Sequence, residues 1–460
     1  MNQNSEIPRS FNELMKDELN VDPVVSSYKP DNPSGTQTPQ GMLSFDELAL
    51  KVEEYLPNTR KALKLLLAVA TSGTRKNRVM LWLLLVGSPS SGKTDLVRLI
   101  KNDSSVVNLD NLTLNAFISG ERATEKQEVY DLLPLLNGKC LVVKDWTVIF
   151  SLDEKACKKI IGDMVGAYDK SLSKHSSRRG HIEYESEFSH LGCITPATLN
   201  KHVQYLNMIG PRFLSYSIPY LSMKDEDKSF EAIFSNKDRQ AEEGIARVTT
   251  SEFLQQLNSK SIDLIKPLNK LIQAYLKIAS RFMARARGIV VIQASSFKDD
   301  TGKDITYYEP SEIQIEQPWR AVQQLITLVK YLALVDGREE VSPDDLEIIK
   351  GVVLSSMPAD RAQALNVLKN CQGEITAKQL SEGVDRSTKT ARRLLDEFTF
   401  LELVDKDKGT GTLASTYRIK EEYKTFITLN PAEFLSLNNK NTTGNDKDEL
   451  IEEIFGGKLT

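Results

Sequence analysis

The run Val79-Met80-Leu81-Trp82-Leu83-Leu84-Leu85-Val86 leads without interruption into Gly87-Ser88-Pro89-Ser90-Ser91-Gly92-Lys93-Thr94. An apolar stretch of that length is too short to span a bilayer. It predicts a strand buried on both faces, and hence a sheet covered by helices on both sides. The octapeptide fits G-x-x-x-x-G-K-[ST], and the pattern Asp95-Leu96-Val97-Arg98-Leu99-Ile100 behind it predicts a helix. Strand, glycine-rich loop and helix start in this order imply a cradle for nucleotide phosphates. The glycines let backbone N–H groups turn toward phosphate oxygens. Lys93 is expected to reach the β- and γ-phosphates, and the Thr94 hydroxyl to ligate Mg²⁺. The cofactors implied are ATP and Mg²⁺, and the cofactor-binding candidates are the eight residues of the loop.

The rest of the chain must be organised around that cradle. Its 460 residues suffice for about three domains, and 40% hydrophobic with 27% charged residues is ordinary for a globular protein. The net charge of −4 excludes a global basic field, so any nucleic-acid contact must come from local patches. Cys140, Cys157, Cys193 and Cys371 lie far apart, with no C-x-x-C; reduced thiols in a cytoplasmic protein are expected. The polar N-terminus lacks an apolar signal region, and no membrane segment is expected.

Residues 1–42 read as a disordered arm and 43–78 as a helical extension with helices over Leu43–Tyr55 and Thr59–Ala70. Residues 79–224 alternate short apolar runs with helical patterns. The expected strands are Val79–Val86, Ser105–Leu109, Cys140–Val143, Leu191–Ile194 and Phe213–Ile218, in a largely parallel sheet that binds ligands at its carboxyl ends. Residues 225–360 read as a helical lid interrupted by a β-rich insertion at Gly288–Ile292 and a polar loop at Phe297–Lys303. Residues 361–424 read as a separate small module, and 425–460 as a flexible tail with a short amphipathic helix over Glu449–Phe455.

A phosphate cradle binds nucleotide, whereas hydrolysis needs further parts. Asp145, closing the run Leu141-Val142-Val143-Lys144, is the candidate second Mg²⁺ ligand. Thr195, after His190-Leu191-Gly192-Cys193-Ile194, is a candidate γ-phosphate sensor; the alternative is a cap for the turn before Pro196. Arg212, in Gly210-Pro211-Arg212-Phe213, is the candidate cation acting on a neighbouring subunit's nucleotide. Arg320, near the start of a helix, is a candidate γ-phosphate contact from the lid; the alternative is a helix-surface arginine. The catalytic candidates are thus Lys93, Asp145, Thr195 and Arg212.

In order, GSPSSGKT, LVVKDW, CITPATLN, GPRF and EQPWRAVQQLITLVKYLALVDGREEVSPDDLEIIKGVV resemble the AAA+ superfamily of P-loop ATPases. The likeness is nearest to minichromosome-maintenance helicases and related ATPases of bacterial mobile elements and phages, and covers roughly residues 60–424. It implies an α/β P-loop NTPase core, an α-helical lid, a C-terminal winged helix-turn-helix, and homo-oligomers such as hexameric rings moving on DNA. It maps the arginine finger to Arg212 and the lid arginine to Arg320. The chain departs from the family where an Asp-Glu pair is usual. Here Lys144-Asp145-Trp146 leaves the catalytic base open, with Glu121 a candidate from elsewhere.

Within 361–424, helices over Ala362–Lys369 and Ala377–Gly383, a third over Thr388–Phe398 capped by Ser387, and a hairpin over Val404–Ile419 fit a winged helix-turn-helix. Lys389, Arg392 and Arg393 fall on the exposed face of the third helix and are the DNA-binding candidates there. The segment Glu374–Lys424 has ten Lys/Arg against ten Asp/Glu, so contact rests on placement rather than on net charge. The resemblance also implies a DNA-contacting hairpin near residues 173–181, making Lys174, Arg178 and Arg179 candidates through phosphates; the alternative is a solvated charged loop. His175, His181, His190 and His202 match no metal-ligand spacing. The function expected is an ATP-dependent, DNA-acting motor, helicase-like, in the replication of a mobile element. The alternatives are a nucleotide-switched DNA-binding initiator, regulator or defence ATPase without unwinding activity, or an ATPase that remodels a protein partner.

Overall fold

The computed structural model describes residues 43–121, 130–234, 238–298, 304–371, 373–407, 409 and 414–436. The arm expected over 1–42, the expected tail beyond 436, residues 299–303 of the expected polar loop and residues 408 and 410–413 of the expected hairpin lie outside the described residues.

Helix α1 (Phe45–Tyr55) starts at a capping box in which Ser44 and Glu47 satisfy each other's backbone N–H. Helix α2 (Arg60–Ser72) is buried on almost every side, with Leu63 and Leu65 to Leu67 fully enclosed. Such a helix belongs inside a domain. Strand β1 (Trp82–Val86) then delivers the glycine loop to α3 (Lys93–Arg98), followed by β2 (Val106–Leu109), α4 (Leu132–Leu136) and β3 (Lys139–Val143). Helices α5 (Trp146–Phe150) and α6 (Glu154–Tyr168) precede an antiparallel hairpin, β4 (Ser171–Ser176) and β5 (Gly180–Glu185). Strand β6 (Phe188–Ile194), helices α7 (Pro196–Lys201) and α8 (Val203–Ile209), and strand β7 (Phe213–Ser217) complete this region.

These five strands form one sheet, in the order β2-β3-β6-β1-β7, and each pairing is parallel. Residues on alternate sides of β1 enter two cores. Leu83 and Leu85 pack with α1, α2 and the later helices, while Trp82, Leu84 and Val86 pack with Phe117, Trp146 and the residues of α6. The doubly covered parallel sheet expected from the apolar run is therefore present. Its first strand starts at Trp82 rather than Val79, because pairing with β6 and β7 begins there, opposite His190 and Phe213.

Helices α9 (Met223–Phe234), α10 (Arg239–Ser259) and α11 (Lys270–Ala286) follow. Next come the hairpin β8 (Ile289–Lys298) and β9 (Asp304–Gln314), then α12 (Trp319–Val335) and α13 (Pro343–Ser355). The insertion expected near Gly288 is this hairpin. Helices α14 (Ala359–Asn370), α15 (Ala377–Val384) and α16 (Thr388–Phe400) pack with a small sheet of β10 (Ile375–Thr376), β11 (Val404–Asp407) and β12 (Thr416–Ile419), ordered β10-β12-β11. Helices α17 (Glu421–Thr428) and α18 (Pro431–Ser436) return to the main body. From Leu43 onward the chain is one compact unit, and a single apolar cluster reaches from Phe45 to Phe434. Two buried lysines tie its parts together. Lys64 of α2 bonds Asp336 and Asp345, each at 2.7 Å, and Lys350 of α13 donates to the carbonyls of Ile427 and Leu429 at the end of α17. No described helix is long and apolar enough to cross a membrane.

Candidate functional site

Because all five strands are parallel, their carboxyl ends share one edge of the sheet. Register places Val86 beside Ile194 and Ser217, and Val143 beside Gly192. Strand β6 lies between β1 and β3, so Thr195 stands between the glycine loop and Asp145. Two strand spacings, about 10 Å, separate the loop from Asp145.

The loop turns tightly between β1 and α3. Ser90 and Gly92 both take positive φ, 62° and 75°, which turns the backbone sharply before α3. Gly92 caps α3 without a side chain, leaving the first-turn N–H groups for an outside acceptor. A Cβ on Gly87 would meet Ser91 Oγ at 2.4 Å. That oxygen is itself buried with no hydrogen-bond partner. Buried polar atoms are normally paired, so an orphan here marks a place for a polar ligand. Lys93 is buried, and its Nζ donates to Ser88 O at 2.8 Å, across the loop. Burial holds its ammonium below the usual lysine range, against the influence of neighbouring Cys193 and Asp145. These features fit the phosphates of a nucleotide.

Asp145 is exposed and caps α5, its Oδ1 accepting from Thr147 N–H at 2.8 Å. Thr195 caps α7 through Thr198 N–H, as the alternative reading of this residue expected. Its hydroxyl does more than cap. Thr195 Oγ1 lies 2.9 Å from Thr198 Oγ1, which lies 3.4 Å from Thr147 Oγ1. A chain of short polar side chains therefore runs from Thr195 to the residue whose N–H holds Asp145. With one exposed carboxylate and the half-buried Thr94, the site suits Mg²⁺, which takes few protein ligands and completes its shell with phosphate and water. Among the described residues, no group of three or more His, Cys, Asp or Glu forms a separate metal site.

The chain neighbours of Asp145, and the candidate base Glu121, each have a partner of their own. Lys144 pairs with Asp110 at the end of β2. Glu121 pairs with Arg178. Trp146 turns into the core, where its Nε1 donates to His190 Nε2 at 3.1 Å. Gly192 makes room for it: a Cβ there would sit 2.3 Å from Trp146 Nε1. His190 Nδ1 lies 2.9 Å from Leu141 O, so the ring carries its proton on Nδ1 and accepts at Nε2. Complete burial pushes its pKa down to about 3, keeping it neutral. Burial likewise pushes the Cys193 thiol up to about 12, so it is no nucleophile.

The two arginines lie at the opposite edge of the sheet. Arg212 immediately precedes β7, and Trp82, at the start of β1, pairs with Phe213. The length of β1 therefore separates Arg212 from the loop of its own chain, roughly 16 Å. Its Nη2 bonds both oxygens of Asp169, at 3.0 and 3.4 Å, and its Nη1 donates to Ile209 O at 2.7 Å. Arg212 and Arg320 both approach the ring of Tyr168, at 5.6 and 5.7 Å. Tyr168 is anchored to the same edge, donating to Met80 O at 3.1 Å, and Gln324 of α12 bonds both Tyr168 OH and Arg212 O. Arg320 thus does not lie over its own loop; it stands beside Arg212. The sequence pointed to the arginines but not to Tyr168, Asp169 or Gln324, which reach this edge from distant segments.

The basic candidates divide by their partners. Lys174 bonds Asn115 Oδ1 and Ile118 O, and Arg179 bonds the buried Asp131 at 2.6 Å and Tyr184 OH at 3.0 Å. With the Arg178–Glu121 pair, they fasten hairpin β4–β5 to the segment before α4. On α16, Lys389, Arg392 and Arg393 are all exposed, and Arg393 bonds the buried Glu397 at 2.8 Å and lies 3.7 Å from Asp360.

No protein-family model and no curated protein matches this chain. Among solved structures, it is similar to the A-form apo structure of the NrS-1 C-terminal region, at 11% identity and a TM-score of 0.22. That likeness spans 82% of this chain and 75% of the other. A superposition that loose does not establish a common fold.

Proposed function

We propose that this protein is an AAA+-type P-loop ATPase that binds MgATP at Gly87–Thr94 and acts on DNA as a motor, helicase-like, in the replication of a mobile element. One observation carries the reading. The glycine loop with its buried lysine, Thr195 and Asp145 converge on the carboxyl edge of one parallel sheet, where open α/β sheets bind their ligands.

In this reading, loop N–H groups and Lys93 hold the β- and γ-phosphates, and Thr94 and Asp145 hold Mg²⁺. Bound Mg²⁺ supplies charge neutralisation for phosphoryl transfer. Thr195 senses the terminal phosphate and passes its position to Asp145 through Thr198 and Thr147. Arg212 and Arg320, on the far edge of the sheet, serve the nucleotide of a neighbouring copy, so the working unit is a homo-oligomer. Helices α14 to α16 with their three-stranded sheet act as the winged helix-turn-helix, with Lys389 and Arg392 meeting DNA phosphates. Arg178 is the exposed member of the hairpin set. Arg179, Lys174 and Arg393 serve the fold first.

A second reading is favoured by one specific observation. Trp146 faces the core, Lys144 is bound to Asp110, and Glu121 is bound to Arg178, so none of these neighbours is placed to activate water. A protein that binds ATP and hydrolyses it slowly is a nucleotide-switched initiator, regulator or defence ATPase on DNA, without unwinding activity. The deciding experiment measures ATP turnover with and without single- and double-stranded DNA, alongside strand displacement on a fork. Stimulated turnover with displacement supports the motor. DNA-dependent binding without displacement supports the switch, and indifference to all DNA removes the DNA-acting reading.

A further inference from the structure

Among the described residues, the half-buried Arg320 guanidinium has no hydrogen bond and no carboxylate partner; it faces the Tyr168 ring. A carboxylate able to take it stands four residues earlier in the chain. Glu316 lies just ahead of α12, with 15% of its side chain exposed. Burial raises its carboxyl above the usual range, opposed first by Arg287 and then by Arg320. Glu316 is thus within electrostatic reach of Arg320, yet it is bonded to Arg287, whose Nε and Nη2 both meet Oε1.

Arg287 follows directly on α11 as its C-cap, and 10% of its side chain is exposed. Among the described residues Glu316 is the one carboxylate it pairs with, and its Nη1 has no hydrogen bond. The backbone that carries it is clamped from the C-terminal module. Arg361 of α14, itself buried, donates from Nη1 to Ala286 O at 3.1 Å and to Gly288 O at 2.6 Å, and from Nε to Glu397 Oε2 at 3.1 Å. Burial raises the Tyr168 hydroxyl; Gln324, then Arg320, Arg212 and Arg287 oppose it, so all three arginines gather at that ring. Arg212 is paired with Asp169, Arg287 with Glu316, and Arg320 with neither. The charge left over at this edge is the one on Arg320.

We propose that Arg287 is a positioning residue: by holding Glu316 it keeps Arg320 from closing an ion pair within its own chain, and leaves that guanidinium for the terminal phosphate of a nucleotide. The proposal rests on the reading that Arg320 contacts phosphate during ATP turnover. A guanidinium forked onto a carboxylate has to give up that pair before it can fork onto a phosphate, whereas an unpaired one does not. A buried carboxylate stripped of its partner finds another cation or takes up a proton, and Arg320 is the unpaired cation within reach of Glu316.

The test compares Arg287→Met, Arg287→Lys, Arg287→Met/Glu316→Gln and Arg320→Ala with the parent, all in the full chain. Steady-state ATP turnover gives kcat and KM, a fluorescent MgATP analogue gives affinity, and thermal melting reports the fold. Arg287→Met is expected to lower kcat at least about tenfold, as Arg320→Ala does, with nucleotide affinity unchanged. Arg287→Lys keeps a cation on Glu316 and should retain most of the parent's kcat. The double variant removes the competing carboxylate and should recover it. A packing role would favour methionine over lysine in so enclosed a site, the reverse order. Should Arg287→Met melt too early to assay, Arg287→Gln, which hydrogen-bonds Glu316 but brings no charge, takes its place with the same expectation. With an active parent and a slow Arg320→Ala, a fast Arg287→Met, or a double variant as slow as the single one, overturns the proposal alone. A parent without turnover, or an Arg320→Ala as fast as the parent, removes the reading of Arg320 and the proposal with it.

Discussion

Beneath the acidic end of β3, His190 is wholly enclosed between Leu141 O and Trp146 Nε1, and its pKa is depressed to about 3. In the unfolded chain a histidine titrates near 6.5. The folded pKa is the lower of the two, so folding releases the proton below pH 6.5. Stability from this group is therefore fully present above pH 6.5, and is lost progressively as pH falls toward 3. The slope is about 1.4 kcal/mol per pH unit. Between pH 7 and pH 5 the loss comes to about 2 kcal/mol, and it is insensitive to the folded value so long as that lies well below 5. His190→Gln retains one donor and one acceptor but takes up no proton. Urea unfolding of both proteins from pH 8 to pH 5 isolates the effect, because the carboxylates are common to both. The stability difference between parent and variant is expected to shrink by about 2 kcal/mol on going from pH 7 to pH 5. Parallel pH profiles would show that His190 is accessible to protons in the folded state, and would refute the packing beneath Asp145.

Gly192→Ala places a methyl group 2.3 Å from Trp146 Nε1 and 2.9 Å from Leu84 Cδ2, both rigidly buried, and should destabilise by about 1–3 kcal/mol in chemical denaturation. The shift in Trp146 should also weaken Mg²⁺-dependent nucleotide binding, because Asp145 is its neighbour. Arg212→Ala subunits mixed with parent should depress ATP turnover more steeply than in proportion to their fraction; a linear decline would argue that each subunit is self-sufficient. Lys389→Ala/Arg392→Ala should weaken duplex DNA binding and reduce the slope of log K against log salt by roughly 2, at 0.9 per phosphate contact. An unchanged slope would move the DNA surface elsewhere. Arg393→Ala should instead lower stability by leaving the buried Glu397 with one partner fewer.

How far the sequence reached is visible in particular residues. The buried parallel strands were legible because Trp82–Val86 and Lys139–Val143 are almost wholly apolar. Strand β6 was foreseen only from Leu191, since Ser189 and His190 interrupt the apolar pattern. They are buried all the same, His190 because both its ring nitrogens are bonded. Helix α2 reads from its sequence as an extension packed beside the core, and the structure buries it on almost every side, since its alanines and lysines give an enclosed helix the same periodicity as one with a single apolar face. Lys64 shows the difficulty: it reads as surface but is buried, neutralised by Asp336 and Asp345 from the far end of the chain. The placement of Gly87–Thr94 between β1 and α3 was legible because the apolar run before it and the helical pattern after it are local signals. The surroundings of Arg212 and Arg320 were not, because Tyr168, Asp169 and Gln324 meet them only through the tertiary fold.

The central claim is that the loop Gly87–Thr94 holds nucleotide phosphates through Lys93. Equilibrium titration of MgATP against the parent and against Lys93→Ala, with far-ultraviolet dichroism to establish that both are folded, tests it most directly. Among the described residues the Lys93 side chain hydrogen-bonds only Ser88 O, so its loss should spare the fold. The account predicts saturable binding by the parent and a loss of at least about tenfold, roughly 1.4 kcal/mol, in the variant. A folded parent that binds no MgATP, or a variant that binds it as tightly as the parent, would contradict it.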